Sequence, residues 1–424
     1  MSAPATFLAL LRRPGVLATV VVALLAEVAF AVLNLSTMPL FLLRELRLPE
    51  SQIGLVMSAF LISEAALKRL TGAFGDRRGH ARAVLYGALI AAVSAFVTVQ
   101  ARALLPLFGW GGGMLALQIG LRALDGWAAA LIWPNLFALN ARAAGEADAP
   151  TSLGLINACY LIGIAIAFPL GGVLNDSAGT PAASVRFAAG LFLVVAIGAT
   201  SLFAVRAVDS PRSTAGEART AAVPSGKVPA RLLAIGALVF GGIGFPTFIV
   251  KLLPMTQFQM SEAAFGAIIL PAALTMAALA GPLAAWGQRL GQVRAIRTGL
   301  GLGLLGAMLP GCASVMPALR TPTLLAISSV PIGIGFLLAI PAWYSYVSAT
   351  ADRAGTGRAI GAVMMAQGIG AILTAPVGSA WFGLNAYGPF VGTAACLSLA
   401  AGLAWGLPAP ESGTLQSEAG SAAR

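Results

Sequence analysis

The feature that most constrains this chain is a succession of apolar runs, each long enough to cross a bilayer and each ended by a short charged turn. A spanning helix needs roughly 20 mostly apolar residues. None of the runs alternates as barrel strands do. Lipid cannot satisfy an open backbone, so helices are the spanning element. Only 10% of the 424 residues are charged and 58% are hydrophobic, whereas soluble domains carry about 25% charge. Twelve runs are read, near residues 15–43, 53–74, 82–101, 112–139, 152–174, 184–205, 231–256, 264–286, 294–316, 322–348, 358–382 and 388–407. Between the sixth and seventh, Arg206 to Ala230 is rich in Ser, Pro, Ala and charge and reads as a linker. The expected fold is an all-α membrane protein with twelve transmembrane helices. An N-terminal six-helix bundle (1–205) and a C-terminal one with a short polar tail (231–424) flank the linker (206–230).

The net charge of +11 reports orientation rather than a nucleic-acid partner, since no basic face is interleaved with stacking aromatics. Of the 26 Lys and Arg residues, 17 fall on the side of both termini and the linker, and 6 on the other. Lys68, Arg69 and Arg122 lie within or near the ends of spans. The positive-inside rule therefore places both termini in the cytoplasm. Ala29-Phe30-Ala31 mimics a signal-cleavage site, but the apolar run continues to Leu43, too long for a signal peptide. Cys159, Cys312 and Cys396 are scattered in apolar runs, and His80 is the only histidine. That excludes a disulfide framework and a zinc site, and no cofactor motif is present.

The two halves resemble each other. At an offset of 212, Gly54 meets Gly266, Gly79 meets Gly291, Gly87 meets Gly299 and Arg77 meets Arg289. At 207, Pro134 meets Pro341, Gly163 meets Gly370, Pro169 meets Pro376 and Gly171 meets Gly378. Paired six-helix repeats with binding at their interface are a transporter architecture.

The charged stretch Gly72-Ala73-Phe74-Gly75-Asp76-Arg77-Arg78-Gly79-His80-Ala81-Arg82 resembles the G-x-L-A-D-R-x-G-R-K loop between helices 2 and 3 of the major facilitator superfamily. His80 and Ala81 replace the usual basic pair, with Arg82 nearby. The resemblance covers essentially the whole chain and is closest to the proton-coupled drug and solute exporters. It implies the major facilitator fold and a conformational latch made by Gly72, Asp76, Arg77, Gly79 and Arg82. In that latch Asp76 would cap the start of helix 11, near Thr356 to Arg358. Gly72 is expected to let helix 2 approach a neighbour closely.

Ionisable residues at membrane depth are functional candidates by default. Glu27 lies about twelve residues into helix 1, roughly 18 Å at helical rise, and has no opposite charge within four residues. It finds a partner on another helix, meets water or carries a proton. Glu64 can pair with Lys68 along helix 2, and Arg122 with Asp125 along helix 4. Arg122-Ala123-Leu124-Asp125-Gly126 resembles the superfamily's R-x-x-Q-G motif, which implies proton movement; Asp125 stands where Gln is usual. Glu27, Glu64, Arg122 and Asp125 are thus the proton-coupling candidates. Helices 7, 8, 10 and 11 carry no internal charge apart from end residues such as Lys251. Acids on one wall and Asn34, Trp127, Asn135, Tyr160, Trp343, Tyr346 and Gln367 as further lining suit a lipophilic, neutral or cationic solute. Gly163, Pro169, Gly171 and Gly172 resemble the antiporter motif of helix 5, with Phe168 where a glycine is usual. With Pro376 they are expected to act as hinges.

The expected function is a secondary active transporter working by alternating access, a proton-coupled exporter of small lipophilic or cationic compounds. A proton symporter or uniporter importing a metabolite is the alternative, and a non-transporting receptor on the same fold a third. No phosphate loop, metal cluster or intramembrane histidine points to an enzyme. The partners expected are a small-molecule substrate, protons and the bilayer of an inner membrane, with a monomer as the working unit.

Overall fold

The computed structural model describes residues 7–109, 112–145, 148–205, 228–350 and 356–408. Most of the expected linker at 206–230, and the backbone just before helix 11, lie outside these residues. The described residues are helical throughout, without a strand. The long rods are α1 Pro14–Glu45, α2 Glu50–Arg78, α3 His80–Val99, α4 Gly112–Ala144, α5 Ala149–Ala178, α6 Ala182–Ser201, α7 Ala230–Gln257, α8 Glu262–Leu290, α9 Gln292–Cys312, α10 Pro322–Thr350, α11 Thr356–Leu384 and α12 Gly388–Trp405. Ten of them are long and apolar enough to cross a membrane. The exceptions are α2, which carries Glu64 and Lys68 mid-rod, and α8, whose apolar stretch is the shorter Glu262–Met276.

The charged turn read from the sequence is mostly helix. α2 runs on through Asp76, Arg77 and Arg78, and only Gly79 interrupts before α3 begins at His80. Gly79 has φ +99, a conformation that side chains with a Cβ rarely adopt. The repeat-related Gly291, φ +81, joins α8 to α9 in the same way.

The first rod of each repeat is broken at an equivalent level. α1 passes through π-helical turns at Ala31–Thr37 and Phe41–Glu45 on either side of Pro39. Proline lacks an N–H and so removes one rung of the helical ladder. α7 stops at Thr247, one residue after Pro246, and resumes at Leu252. Such breaks free backbone carbonyls and often mark functional positions.

The repeat offsets reappear in the packing. A methyl group on Gly87 would lie 2.8 Å from Ala128 O and 2.7 Å from Ile132 Cγ1. One on Gly299 would lie 2.6 Å from Gly335 O and 2.7 Å from Ala339 Cβ, the residues 207 further on. A methyl on Gly54 of α2 would lie 2.7 Å from Pro376 Cα on α11, and one on Gly266 of α8 would lie 2.8 Å from Pro169 N on α5.

By packing, the chain forms two compact units. One comprises Met1–Ala221, Gly244–Thr275 and Ile372–Pro389; the other Ala222–Ile243, Met276–Ala371 and Phe390–Arg424. Within the first, α2 and α3 pack along α4, α3 also along α6, and α1 against α5 and α6. Within the second, α9 packs along α10. Its core holds Ile235, Ile296, Trp343, Tyr346, Val347 and Ala400. Of the cysteines, Cys159 is buried, Cys396 half-buried and Cys312 exposed.

Candidate functional site: buried charge in the first unit

Four of the polar clusters in the first unit involve the candidate residues or lie beside them. The deepest belongs to α4. Arg122 and Asp125 are both fully buried and pair at 2.5 Å. Arg122 also donates to Asn34 Oδ1 at 2.9 Å and to Thr98 Oγ1 at 3.0 Å. α1, α3 and α4 are thereby tied together through one guanidinium. Its Nε and Asn34 Nδ2 have no hydrogen-bond partner among the described residues, while the Ser94 hydroxyl lies close enough to Asp125 to interact with its carboxylate. Burying such groups half-satisfied is expensive, so this cluster is not an ordinary packing solution.

Glu27 sits apart from that cluster. It is 3% exposed, and among the described residues its carboxylate makes neither a hydrogen bond nor an ion pair. Gly163 on α5 leaves room for it, since a methyl there would come within 2.5 Å of Glu27 Cγ. Glu64 and Tyr160 are near enough to interact with it electrostatically. Glu64 in turn pairs with Lys68 at 2.8 Å, as the i,i+4 spacing implies. Tyr160 is 43% exposed and its ring meets Trp133 edge-on at 5.7 Å.

A third cluster joins four rods of the unit. Lys251, in the break of α7, and Glu262, the first residue of α8, are both buried and pair at 2.6 Å. Lys251 also donates to the backbone O and Oγ of Ser36, in the first π turn of α1. Asn175 on α5 donates to Glu262 Oε2 at 2.8 Å, and Arg44 lies 4.0 Å from Oε1. Asp176 accepts from Glu262 N at 3.3 Å and Ala263 N at 2.7 Å, capping the positive end of α8. α1, α5, α7 and α8 therefore meet in one buried ionic knot. Gly172 lets the α5 backbone press directly on Glu262 O.

The fourth cluster is at the α2–α3 corner, where His80 binds Asn135 on α4 at 2.6 Å and faces Asp76 at 3.5 Å.

The structure thus brings Arg122, Asp125 and Asn34 together, and Glu27 with Glu64 and Tyr160. Asn135, expected on a cavity wall, is fully buried, its amide engaged with His80, Thr71 and Leu131. Trp127 lines an apolar groove of about 600 Å³ beside Leu70, Thr71, Phe74, Tyr86 and Leu89. In the second unit Gln367 accepts from Tyr344 at 2.9 Å. Gln367 and Trp343 line a cavity of about 20 Å³, room for one water. Tyr346 is a core residue, its hydroxyl donating to Pro408 O at 3.1 Å. Among the described residues nothing crowds Gly72, whereas a methyl on Gly75 would collide with Asn135 Oδ1 and sit 2.7 Å from His80 Nδ1. The close approach of α2 is made at Gly75. Pro169, Pro376, Gly171 and Gly172 are packing contacts at the far end, with Gly171 against Ser36. Arg77 and Arg82 are exposed, and Arg82 donates to Arg78 O at 3.1 Å.

Sequence reasoning passed over Lys251 and Glu262, which read as ordinary helix-end charges. Asn175, which donates to Glu262, is 2% exposed. The signal available was Glu262 itself, which stands at the 212 offset from Glu50.

The family model of the major facilitator superfamily matches residues 17–375. No curated protein matches the chain by sequence. Among solved structures, a D-xylose–proton symporter is similar with a TM-score of 0.72 and 15% identity, over 94% of this chain and 99% of its own. The nucleoside transporter NupG gives 0.70 and 14%, over 92% and 98%. The xylose transporter XylE from E. coli, inward open, gives 0.68 and 15%, over 95% and 97%. At such identities the likeness is one of fold.

Proposed function

Because this chain belongs to the major facilitator superfamily, and is accordingly a multi-pass membrane transporter, we propose that it couples proton movement to export of small lipophilic or cationic compounds by alternating access. In this reading all twelve rods span an inner membrane, with both termini and the linker in the cytoplasm. The bundles 1–205 and 231–424 rock about a central site in a monomer. The knot at Lys251 and Glu262 then closes the outer end, and Asp76 latches the inner end in the opposite state.

The observation that carries the proposal is Glu27. It is a buried carboxyl with no ion-pair or hydrogen-bond partner among the described residues, set beside the thin point of α5 at Gly163. A charged carboxylate there is strongly disfavoured, so proton gain and loss would change which arrangement of the helices is stable. Glu64 and Tyr160 share its electrostatic neighbourhood. Arg122 and Asp125 form a separate charge reserve on α4.

Proteoliposomes loaded with a pH-sensitive dye and challenged with lipophilic cations, sugars and amino acids test this. The wild type should move protons against a lipophilic cation, and Glu27→Gln should lose at least about tenfold of that coupled flux, the order contributed by a group essential to proton transfer. Undiminished coupling in Glu27→Gln removes the carboxyl from the mechanism. One observation favours import instead. Phe168 fills the antiporter motif's glycine position and packs edge-on against Phe265 at 5.8 Å. Proton flux in the same direction as solute identifies that case.

A further inference from the structure

At the α2–α3 corner the hydrogen-bond directions fix where a proton can go. His80 is the only histidine in the chain and is 6% exposed. The Asn135 amide nitrogen donates to Leu131 O at 2.8 Å and Thr71 O at 3.3 Å. Carbonyl oxygens only accept, so Asn135 must turn its own oxygen toward the ring, 2.6 Å from Nδ1. Nδ1 is therefore the donor. A neutral imidazole has a single N–H, which leaves Nε2 bare.

That bare nitrogen is buried without a hydrogen-bond partner. It faces Asp76 Oδ1, a second acceptor, at 3.5 Å. Two lone pairs opposed at this distance leave a place for one proton. We propose that His80 is a proton-binding site whose imidazolium, protonated at Nε2, clasps the Asp76 carboxylate and withdraws it from any other partner. The proton comes from hydronium in the solvent by way of Asp76, whose side chain is 69% exposed: the hydronium O–H breaks as the carboxyl O–H forms, that bond breaks as Nε2–H forms, and the ring gains one positive charge. A charge-assisted N–H···O bond draws in to about 2.7–2.9 Å, a small movement for an exposed carboxylate.

The ionisable groups at this end of the elements packed around the ring are Asp76, Arg77 and Arg78 on α2, Arg82 on α3 and Arg142 on α4; Glu50, Glu64, Lys68 and Arg69 lie further along α2, and Arg122 and Asp125 further along α4. α6 presents none at this end, since its single one, Arg186, is near its other end. Asp76 is thus the sole acid among those at this end. The consequence for transport rests on the reading of Asp76 as a latch: acidification on this face would release the latch by engaging Asp76 with its own neighbour.

A single histidine makes the test direct. Protein labelled with ¹³C and ¹⁵N only in histidine, in nanodiscs, gives one imidazole by nuclear magnetic resonance. The neutral ring is expected as the Nδ1–H tautomer, and Asn135→Leu should erase that preference. On acidification an Nε2–H signal should appear, and Asp76→Asn, a near-isosteric change at an exposed position, should lose it to solvent exchange. A neutral Nε2–H tautomer in the wild type, or an acid form indifferent to Asp76→Asn, overturns the proposal, and the wild-type tautomer decides even where a variant fails to fold. The latch is tested separately. Spin labels at Arg78→Cys and Arg289→Cys, with the three native cysteines replaced, should report a pH-driven distance change that His80→Gln abolishes. A normal imidazole result with an unmoving distance sinks the latch and keeps the proton site.

Discussion

The α2–α3 and α8–α9 corners are the same object built twice, and they differ in everything except the backbone. Each is a one-glycine break, Gly79 or Gly291, with φ of +99 and +81. In the first copy His80 and Asn135 form a buried polar contact over Gly75, and the exposed Asp76 faces the ring. In the second, Gln288, Gln292 and Ala342 stand at those positions, and Gln292 instead donates to Ser345 at 2.6 Å in an exposed contact. The far ends reverse the asymmetry. Glu50 and Glu262 are repeat-related, yet Glu262 is buried against Lys251 while Glu50 is half-buried near Gly383. The backbone was duplicated as a whole, but each end of the molecule keeps its buried polar chemistry in only one copy. Geometry needed by the fold must persist in both repeats; a switch needs only one.

The strongest way to break this contrast is at the far end. Lys251→Met leaves Glu262 buried without its cation. Breaking a buried pair from one side typically costs about 3–5 kcal/mol, which thermal unfolding in detergent would read as a large loss. The double change Lys251→Met with Glu262→Leu should recover most of it. Glu50→Gln should change stability by only about 0.5 kcal/mol, since the half-buried Glu50 keeps contact with water and makes no ion pair among the described residues. Equal losses for Lys251→Met and Glu50→Gln would erase the asymmetry.

The next contrast is Gly75→Ala against Gly287→Ala. The added methyl meets Asn135 Oδ1 in the first and nothing nearer than 3.7 Å in the second. Overpacking costs about 1–3 kcal/mol, whereas replacing an uncrowded helix glycine by alanine gains roughly 1 kcal/mol. The two variants should therefore shift the melting temperature in opposite directions.

What was legible in the sequence follows the same division. Apolar run lengths and glycine-proline register depend on local chemistry and on the duplication. The correspondence of Gly87 with Gly299 was accordingly readable, and the contacts of Gly87 with Ala128 and Ile132 recur as those of Gly299 with Gly335 and Ala339. Which side a residue faces was not. Helices that are apolar all round offer no amphipathic stripe, so Asn135 and Trp127 looked alike as cavity candidates. One is fully buried against His80 and the other lines a lateral groove. Lys251 and Glu262 were hidden for another reason. A charge near a helix end ordinarily points to water, and only the break in α7 and the π turn at Ser36 turn these two inward.

Between these effects and the smallest lies a control on the shared backbone. Gly79→Ala and Gly291→Ala force a Cβ into a positive φ, at about 1–3 kcal/mol each, and should destabilise alike.

The smallest expected effect is at Gln292. Its Nε2 donates to Ser345 in an exposed contact, while its Oε1 is buried without a hydrogen-bond partner among the described residues, so no buried pair is lost with it. Water replaces a lost partner there, so Gln292→Ala should change stability by no more than about 0.5 kcal/mol. Asn135→Ala removes the acceptor from a buried imidazole N–H and should cost about 1–3 kcal/mol. Paired melting curves resolve the difference. If Gln292→Ala proves as damaging as Asn135→Ala, the second corner carries buried polar duty of its own, and the single-copy rule fails where it is easiest to measure.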